Sequence, residues 1–281
     1  MNLNSILKSL DSCGYFGHIL STEEGIVLHN SLLILQNENH FRQIFFWGKI
    51  LGVEKDYYIA YGYSRDILYG KVYYYSRNCT DWGLLPKPTK NGLVLTPLCT
   101  SKFQGDPSLV IDVLIDKDEI LIPGKRKQPE LRKLKEEDRL ASTVYQIMDE
   151  AGVVPRGALF RRPDGIVVEN SSFEGLSTLE AREIKSFLHF RPPTRKQNSN
   201  LLTRDDFNYA MDFLDPLDID LPEGCWIIQI TPAEDMAIVK SIHWPGLLSY
   251  HFCKTPKHGF IYFGHGKKSL DAPFMLSPFC M

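Results

Sequence analysis

Four histidines, His243, His251, His258 and His265, lie close together late in the chain, with Cys253 among them. A zinc centre draws its ligands from close pairs, such as two cysteines two residues apart matched by two histidines a short way on. His251 and Cys253 can share one strand face, but no second close pair follows. Hydrogen-bonded or exposed histidines therefore suit this stretch better than metal ligands. The segment "FGHGKKSL", Phe263 to Leu270, imitates a phosphate loop. Position 261, where the first glycine of that motif belongs, is Ile, and Lys267 is followed by Lys268 instead of Ser or Thr. A tight turn after a strand is the better reading. Asp215, Asp218, Asp220 and Glu223 are spaced roughly like calcium ligands, but Pro216, Pro222 and a missing glycine break the loop. Glu180 and Glu183 precede His189 on a segment that reads as helix, where carboxylates face solvent. No Gly-x-Ser-x-Gly elbow and no Gly-x-Gly-x-x-Gly turn occurs. No residue is assigned a catalytic, cofactor or metal role, and the expectation is a protein that is not an enzyme.

The elements that would hold any such site alternate in kind. Leu3, Ile6, Leu7 and Leu10 follow a helical period. Ser21-Thr22-Glu23-Glu24 fits a capping box that opens a helix with apolar residues from Ile26 to Leu35. Strands are expected at Ile44–Leu51, Tyr57–Tyr63, Val72–Tyr75 and within Ser108–Ile115, with ordered loop from Cys79 to Pro107. A strong helix is expected over Leu131–Glu150, stopped by Gly152 and Pro155. "GALFRRPDGIVVE" reads as a hairpin turning at Asp164-Gly165. A second capping box, Ser177 to Glu180, predicts a helix to about His189, and a short helix is expected at Phe207–Leu214. The last third returns to strands: Cys225–Ile230, Met236–Ile242, Leu248–Phe252 and Phe260–Phe263. Strands at both ends with helices between predict an α+β fold, one domain over residues 1–281 with a largely antiparallel sheet and packed helices. Residues 116–130, rich in charge with Pro123, Gly124 and Pro129, read as an exposed polar excursion, and 277–281 as a short tail.

A chain of 281 residues can bury about 75% of its extended surface and needs no disulfide staples. Its six scattered cysteines lack any Cys-x-x-Cys pair and read as free thiols. A net charge of −2 makes no electrostatic case for nucleic acid, and Lys125-Arg126-Lys127 reads as a solvated loop. No apolar run approaches eighteen residues, and the polar N-terminal segment does not read as a secretory signal, so no membrane partner is expected.

Several blocks, taken in succession, resemble the radial spoke head protein 9 family of ciliary proteins. They are "FWGKILGVEKDYYIAYG", "CTDWGLLP", "FQGDPS", "VPRGALF", "FEGLSTLEAREIKSFLHFRPP", "DFLDPLDIDLPEGCW", "WPGLLSYH" and "GFIYFGHGKKSLDAPFML". The departures are "LYGKVYYYS", residues 116–130 and the tail. The resemblance implies a non-enzymatic subunit of the axonemal radial spoke head, which links outer doublets to the central pair and helps control dynein. The block beginning "FWGKILG" is also similar to one in the larger radial spoke head proteins 4 and 6. That similarity implies a shared fold and side-by-side pairing with them. No family catalytic residue or cofactor exists to carry over.

Thirteen tyrosines give the chain a surface-forming character. In "FFWGKILGVEKDYYIAYGYS", strict alternation sets Phe45, Trp47 and Leu51 on one face and Phe46 and Ile50 on the other. The return strand sets Tyr57, Ile59, Tyr61 and Tyr63 on one side and Tyr58 and Ala60 on the other. Neither face suits water. With Tyr73 and Tyr75 on the next strand, Tyr57, Tyr61 and Tyr63 make an aromatic surface that is the candidate partner interface. Two coverings remain open: another spoke head subunit, including a second copy in self-association, or the chain's own helices. The contrasting function class is a soluble α+β enzyme or small-ligand module around His243, His251 and His265.

Overall fold

The computed structural model describes residues 1–3, 6, 9, 13, 14, 17, 20–115, 130–194 and 207–275. The chain forms α1 (Thr22–Glu38), β1 (Gln43–Ile50), β2 (Tyr57–Tyr63), β3 (Val72–Ser76), β4 (Gly83–Leu84) and α2 (Lys90–Leu95). There follow β5 (Val110–Ile115), β6 (Glu130–Lys135), α3 (Glu136–Ala151), β7 (Val153–Pro155), β8 (Leu159–Arg161), β9 (Val167–Glu169) and β10 (Phe187–His189). The last strands are β11 (Trp226–Ile230), β12 (Met236–Ser241), β13 (Leu247–Phe252) and β14 (His258–Gly264). Eight strands make one sheet in the order β11-β12-β13-β14-β1-β2-β3-β4. Every pair in it is antiparallel except β1 with β14, which run parallel through Gly48↔Tyr262 and Ile50↔Gly264. The α+β class with a largely antiparallel sheet is what the sequence predicts.

Both faces of the sheet are covered by the chain itself. On one face α1, opened by the Ser21–Glu24 capping box, lays Leu28, Leu32 and Leu35 on Ile44, Phe46, Tyr58 and Ala60. Met1, Leu3, Ile6 and Cys13 complete this layer. On the other face α3 buries Leu140, Val144, Ile147 and Met148 against Phe45, Trp47, Ile50 and the odd-numbered residues of β2, with β7 and β10 beside it. The small sheet β5–β6 forms a third cluster, Val113 and Leu134 with Leu95 of α2.

The faces of β1 depart from strict alternation. Phe46 pairs with Ala60 but Gly48 pairs with Ile59, so Trp47 is an extra residue in a β-bulge. The bulge puts Ile50 on the Trp47 side, opposite to the face that alternation assigns it. Gly48 permits this with φ +145°; a Cβ there would sit 2.1 Å from the Tyr262 carbonyl oxygen.

Three predicted helices are corrected. Residues 130–135 are strand β6, and α3 begins only at Glu136. "ELRKLK" carries too few apolar residues for a helical stripe, and pairing with β5 turns Leu134 inward and Leu131 outward. The acidic run Glu136-Glu137-Asp138 then suits a helix N-terminus. The Ser177–Glu180 box forms, but it opens only a 3₁₀ turn, Glu180–Arg182; a second, Ile184–Ser186, leads into β10. Pairing with β7 buries all three residues of β10 and outweighs helix propensity. Residues 207–214 form turns around the buried Asp212. The stretch from Cys79 to Pro107 contains β4, α2 and a 3₁₀ turn, Thr96–Leu98, that its composition does not announce. The predicted excursion and tail lie outside the described residues, apart from Glu130.

Candidate partner interface

The tyrosine surface exists, and it faces inward. Tyr57, Tyr61 and Tyr63 are 0%, 2% and 1% exposed. Phe45 stacks on Tyr61 at 5.0 Å, Tyr61 on Phe260 at 6.0 Å, and Tyr73 lies 5.6 Å from Tyr61. The acidic first turn of α3 takes the hydroxyls: Tyr57 donates to Glu136 Oε1 at 2.8 Å and Tyr75 to Glu137 Oε1 at 3.0 Å. Burial, reinforced by the neighbouring carboxylates, pushes both phenols up, Tyr75 to about 12. Tyr73 and Tyr75 are half-buried at the edge of this stack. Tyr57, Tyr61 and Tyr63 are therefore not an open surface for a partner. The chain covers them itself: α3 brings an apolar stripe and takes the Tyr57 and Tyr75 hydroxyls, while the Tyr63 hydroxyl donates to Gln43 Oε1 of β1.

Glu136 is the polar centre of this packing. Its side chain is fully buried and accepts from the backbone N–H groups of Gln104, Gly105 and Asp106 as well as from Tyr57. The "FQGDPS" loop thus wraps the start of α3. Val53 N–H donates to Phe103 O at 2.8 Å, which ties the β1–β2 turn to the same loop. Arg139, one turn on, lays its guanidinium 4.1 Å over the Phe103 ring and donates to Ser101 O.

The residues singled out for chemistry are dispersed into such supporting roles. His251 is fully buried; Leu176 N–H donates to its Nε2 at 2.9 Å while Nδ1 lies 3.2 Å from Lys257 O, which fixes the Nδ1–H tautomer. Desolvation, helped by the nearby His258, lowers its pKa to about 4. His243 contacts Ser269 O, and His265 is exposed. Lys267 donates to Thr100 O at 2.5 Å, and Gly266 N–H to the Tyr262 hydroxyl, so the phosphate-loop look-alike packs on its own chain. Asp215 holds Arg191 and Thr194, whereas Asp220 holds His189 and Trp226. Arg156 grips Asp212 with two bonds, 2.5 and 2.7 Å, and joins "VPRGALF" to "DFLDPLD". Among the described residues no group of three His, Cys, Asp or Glu is placed to hold a metal, and no helix is long and apolar enough to cross a membrane. The five described cysteines are unpaired.

The surfaces that remain are elsewhere. The sheet ends on one side at β11 and on the other at β4, which is two residues long and followed by Pro86 and Pro88. Below β4 opens a largely apolar groove of about 640 Å³, walled by Leu68–Tyr73, Leu84–Pro88, Tyr145, Met148 and Asp149 of α3, and Phe190–Pro192. The outer face of β5–β6 exposes Val110, Leu114 and Leu131. Pattern reading missed the groove. The available signals were Tyr145, off the apolar stripe of α3, and the Pro86-Lys87-Pro88 lip that cannot continue a ladder.

The sequence that builds this self-filled core matches a known class. Residues 1–66 fit the family model described as radial spokehead-like protein. Along the whole chain the similarity is more particular. The radial spoke head protein 9 homolog of Homo sapiens is 36% identical over 286 residues, covering 98% of this chain and 100% of that one. Those of Mus musculus and Danio rerio are 38% and 39% identical, each again over 98% of this chain and 100% of theirs. The chain belongs to the radial spoke head protein 9 family, a family of the ciliary axoneme.

Proposed function

We propose that this protein is a non-enzymatic structural subunit of the radial spoke head. In this role it is needed to assemble the head and to transmit central-pair signals that regulate dynein-driven beating. The observation that carries the reading is the end-to-end similarity to proteins of that name, at 36–39% identity without a large gap in coverage. The physical character of the chain agrees with it. Buried clamps such as Glu136 with the Phe103–Asp106 loop, and Arg156 with Asp212, tie distant segments into one stiff body. A stiff body suits a part that passes position or load between neighbours. Its neighbours in this reading are other spoke head subunits, above all those of the radial spoke head protein 4 and 6 type, which would share its fold. Removing the chain from ciliated cells and imaging axonemes by electron tomography tests the reading. Incomplete spoke heads and altered beating are expected. Intact heads in cells with no paralogue to substitute would overturn it.

A further inference from the structure

The groove below β4 has an unusual floor. Lys71 lies within it, with Nζ 3.5 Å over the Phe190 ring and one hydrogen bond, 3.0 Å, to Phe190 O. An ammonium carries three donors, so two have no acceptor among the described residues. No described carboxylate forms an ion pair with it. Asp66, from the β2–β3 connection, and Asp149, from α3, act on it only at a distance. Arg191 beside it is committed to Asp215, and Lys87 on the lip adds a second positive charge. Desolvation lowers the Lys71 pKa to about 7, and the two aspartates only partly restore it. With Arg191 paired to Asp215, the lining carries Lys71 and Lys87 against Asp149, in a chain whose net charge is −2.

The rim is apolar beyond the hollow itself. Tyr69, Leu84 and Tyr145 are 65%, 60% and 47% exposed. A small molecule seated on the floor would leave these bare, whereas a chain crossing the groove would cover floor and rim together. Pro86 and Pro88 block extension of the sheet past β4, so such a chain lies in the groove and does not add a strand. We infer that this groove receives an extended peptide segment of a neighbouring protein, with apolar side chains on Tyr69, Leu84 and Tyr145 and an aspartate or glutamate between them paired with Lys71. The inference rests on the reading of the chain as an assembly protein and names what one of its surfaces would hold. A carboxylate arriving there would give Lys71 its missing partner inside an apolar wall, where a charged hydrogen bond is strongest.

The test uses the purified full chain and a displayed library of random peptides of about ten residues. Selected peptides should carry Asp or Glu flanked by apolar residues, and replacing that acid by its amide should weaken binding about tenfold or more. Lys71→Met, which keeps the apolar stem, should erase the difference between acid and amide, and Lys71→Arg should keep it. Tyr145→Ala, on the exposed side of α3, should weaken both peptides without lowering the melting temperature. Overturning results are a library that yields no enriched peptide, selected peptides without an acid, an unchanged acid preference in a folded Lys71→Met chain, or succinate displacing the peptide at equal concentration. Because binding is read on purified protein, intact spoke heads in cells lacking the chain would remove the proposed function and leave the groove standing.

Discussion

Tyr57 donates its hydroxyl hydrogen bond to Glu136 across 79 positions of sequence and joins the start of β2 to the first residue of α3. The same carboxylate collects three successive backbone N–H groups from Gln104 to Asp106. Glu136→Ala strands four donors at once, two of them buried. It should destabilise the chain by about 3 kcal/mol or more in urea unfolding, against about 1–2 kcal/mol for Tyr57→Phe, which leaves the carboxylate its backbone partners. Equal losses would show that the loop does not depend on Glu136.

Arg156 and Asp212 form a second such pair, with the aspartate side chain fully covered. Asp212→Ala leaves a guanidinium without its two bonds and should cost about 3–5 kcal/mol. The double variant with Arg156→Met should be less destabilised than the sum of the two singles. A double-mutant cycle read by chemical unfolding measures the difference, and strict additivity would show that the pair is not coupled.

Acid should weaken the fold through His251. Its folded pKa, about 4, lies below the ordinary histidine value of 6.5. The unfolded chain therefore binds the proton first. Stability is full above pH 6.5 and falls as pH drops toward 4, by about 3 kcal/mol in all. Proton NMR of the imidazole should show His251 neutral at pH 5.5 and protonating only as pH nears 4. The ring is also a structural joint, so His251→Ala should lower the melting temperature, although no motif marks the residue.

Glycine positions separate overlap from backbone preference. Gly165 has φ +84° with nothing within 4 Å of where a Cβ would stand, so Gly165→Ala bears only the left-handed penalty of about 1 kcal/mol. At Gly48 the same change also drives Cβ into the Tyr262 carbonyl, and the loss should reach about 3 kcal/mol. Comparable melting temperatures for the two variants would mean that β1 and β14 can move apart at no cost.

The sheet was legible because strand periodicity is local: β2 spans the predicted residues, and β11 to β14 differ from prediction only at their ends. The helices at 131–135 and 181–189 were misread because cross-chain pairing with β5 and β7 decides those segments, and the sequence carries no local sign of the partner. The bulge at Trp47 was hidden for the same reason, since only the neighbouring strand reveals which residue is supernumerary. The tyrosine set was identified with its correct face. Its covering was not legible, because the acceptors on α3 that take the Tyr57 and Tyr75 hydroxyls lie 79 and 62 residues away. Nothing local in the sequence showed that His251 would hold Leu176 and Lys257.

The parallel contact between β1 and β14 sits in the middle of the eight-stranded sheet, yet its two strands come from opposite ends of the chain. During translation β1 leaves the ribosome long before β14. At about 5–20 residues per second, its open edge waits on the order of ten to forty seconds for its neighbour. Two half-sheets, β1–β4 and β11–β14, can form as hairpins while synthesis proceeds, but the seam between them closes only when both are free. Until then the apolar edge is a target for misjoining, and a nascent chain stalled before Gly264 would need a chaperone to shield it.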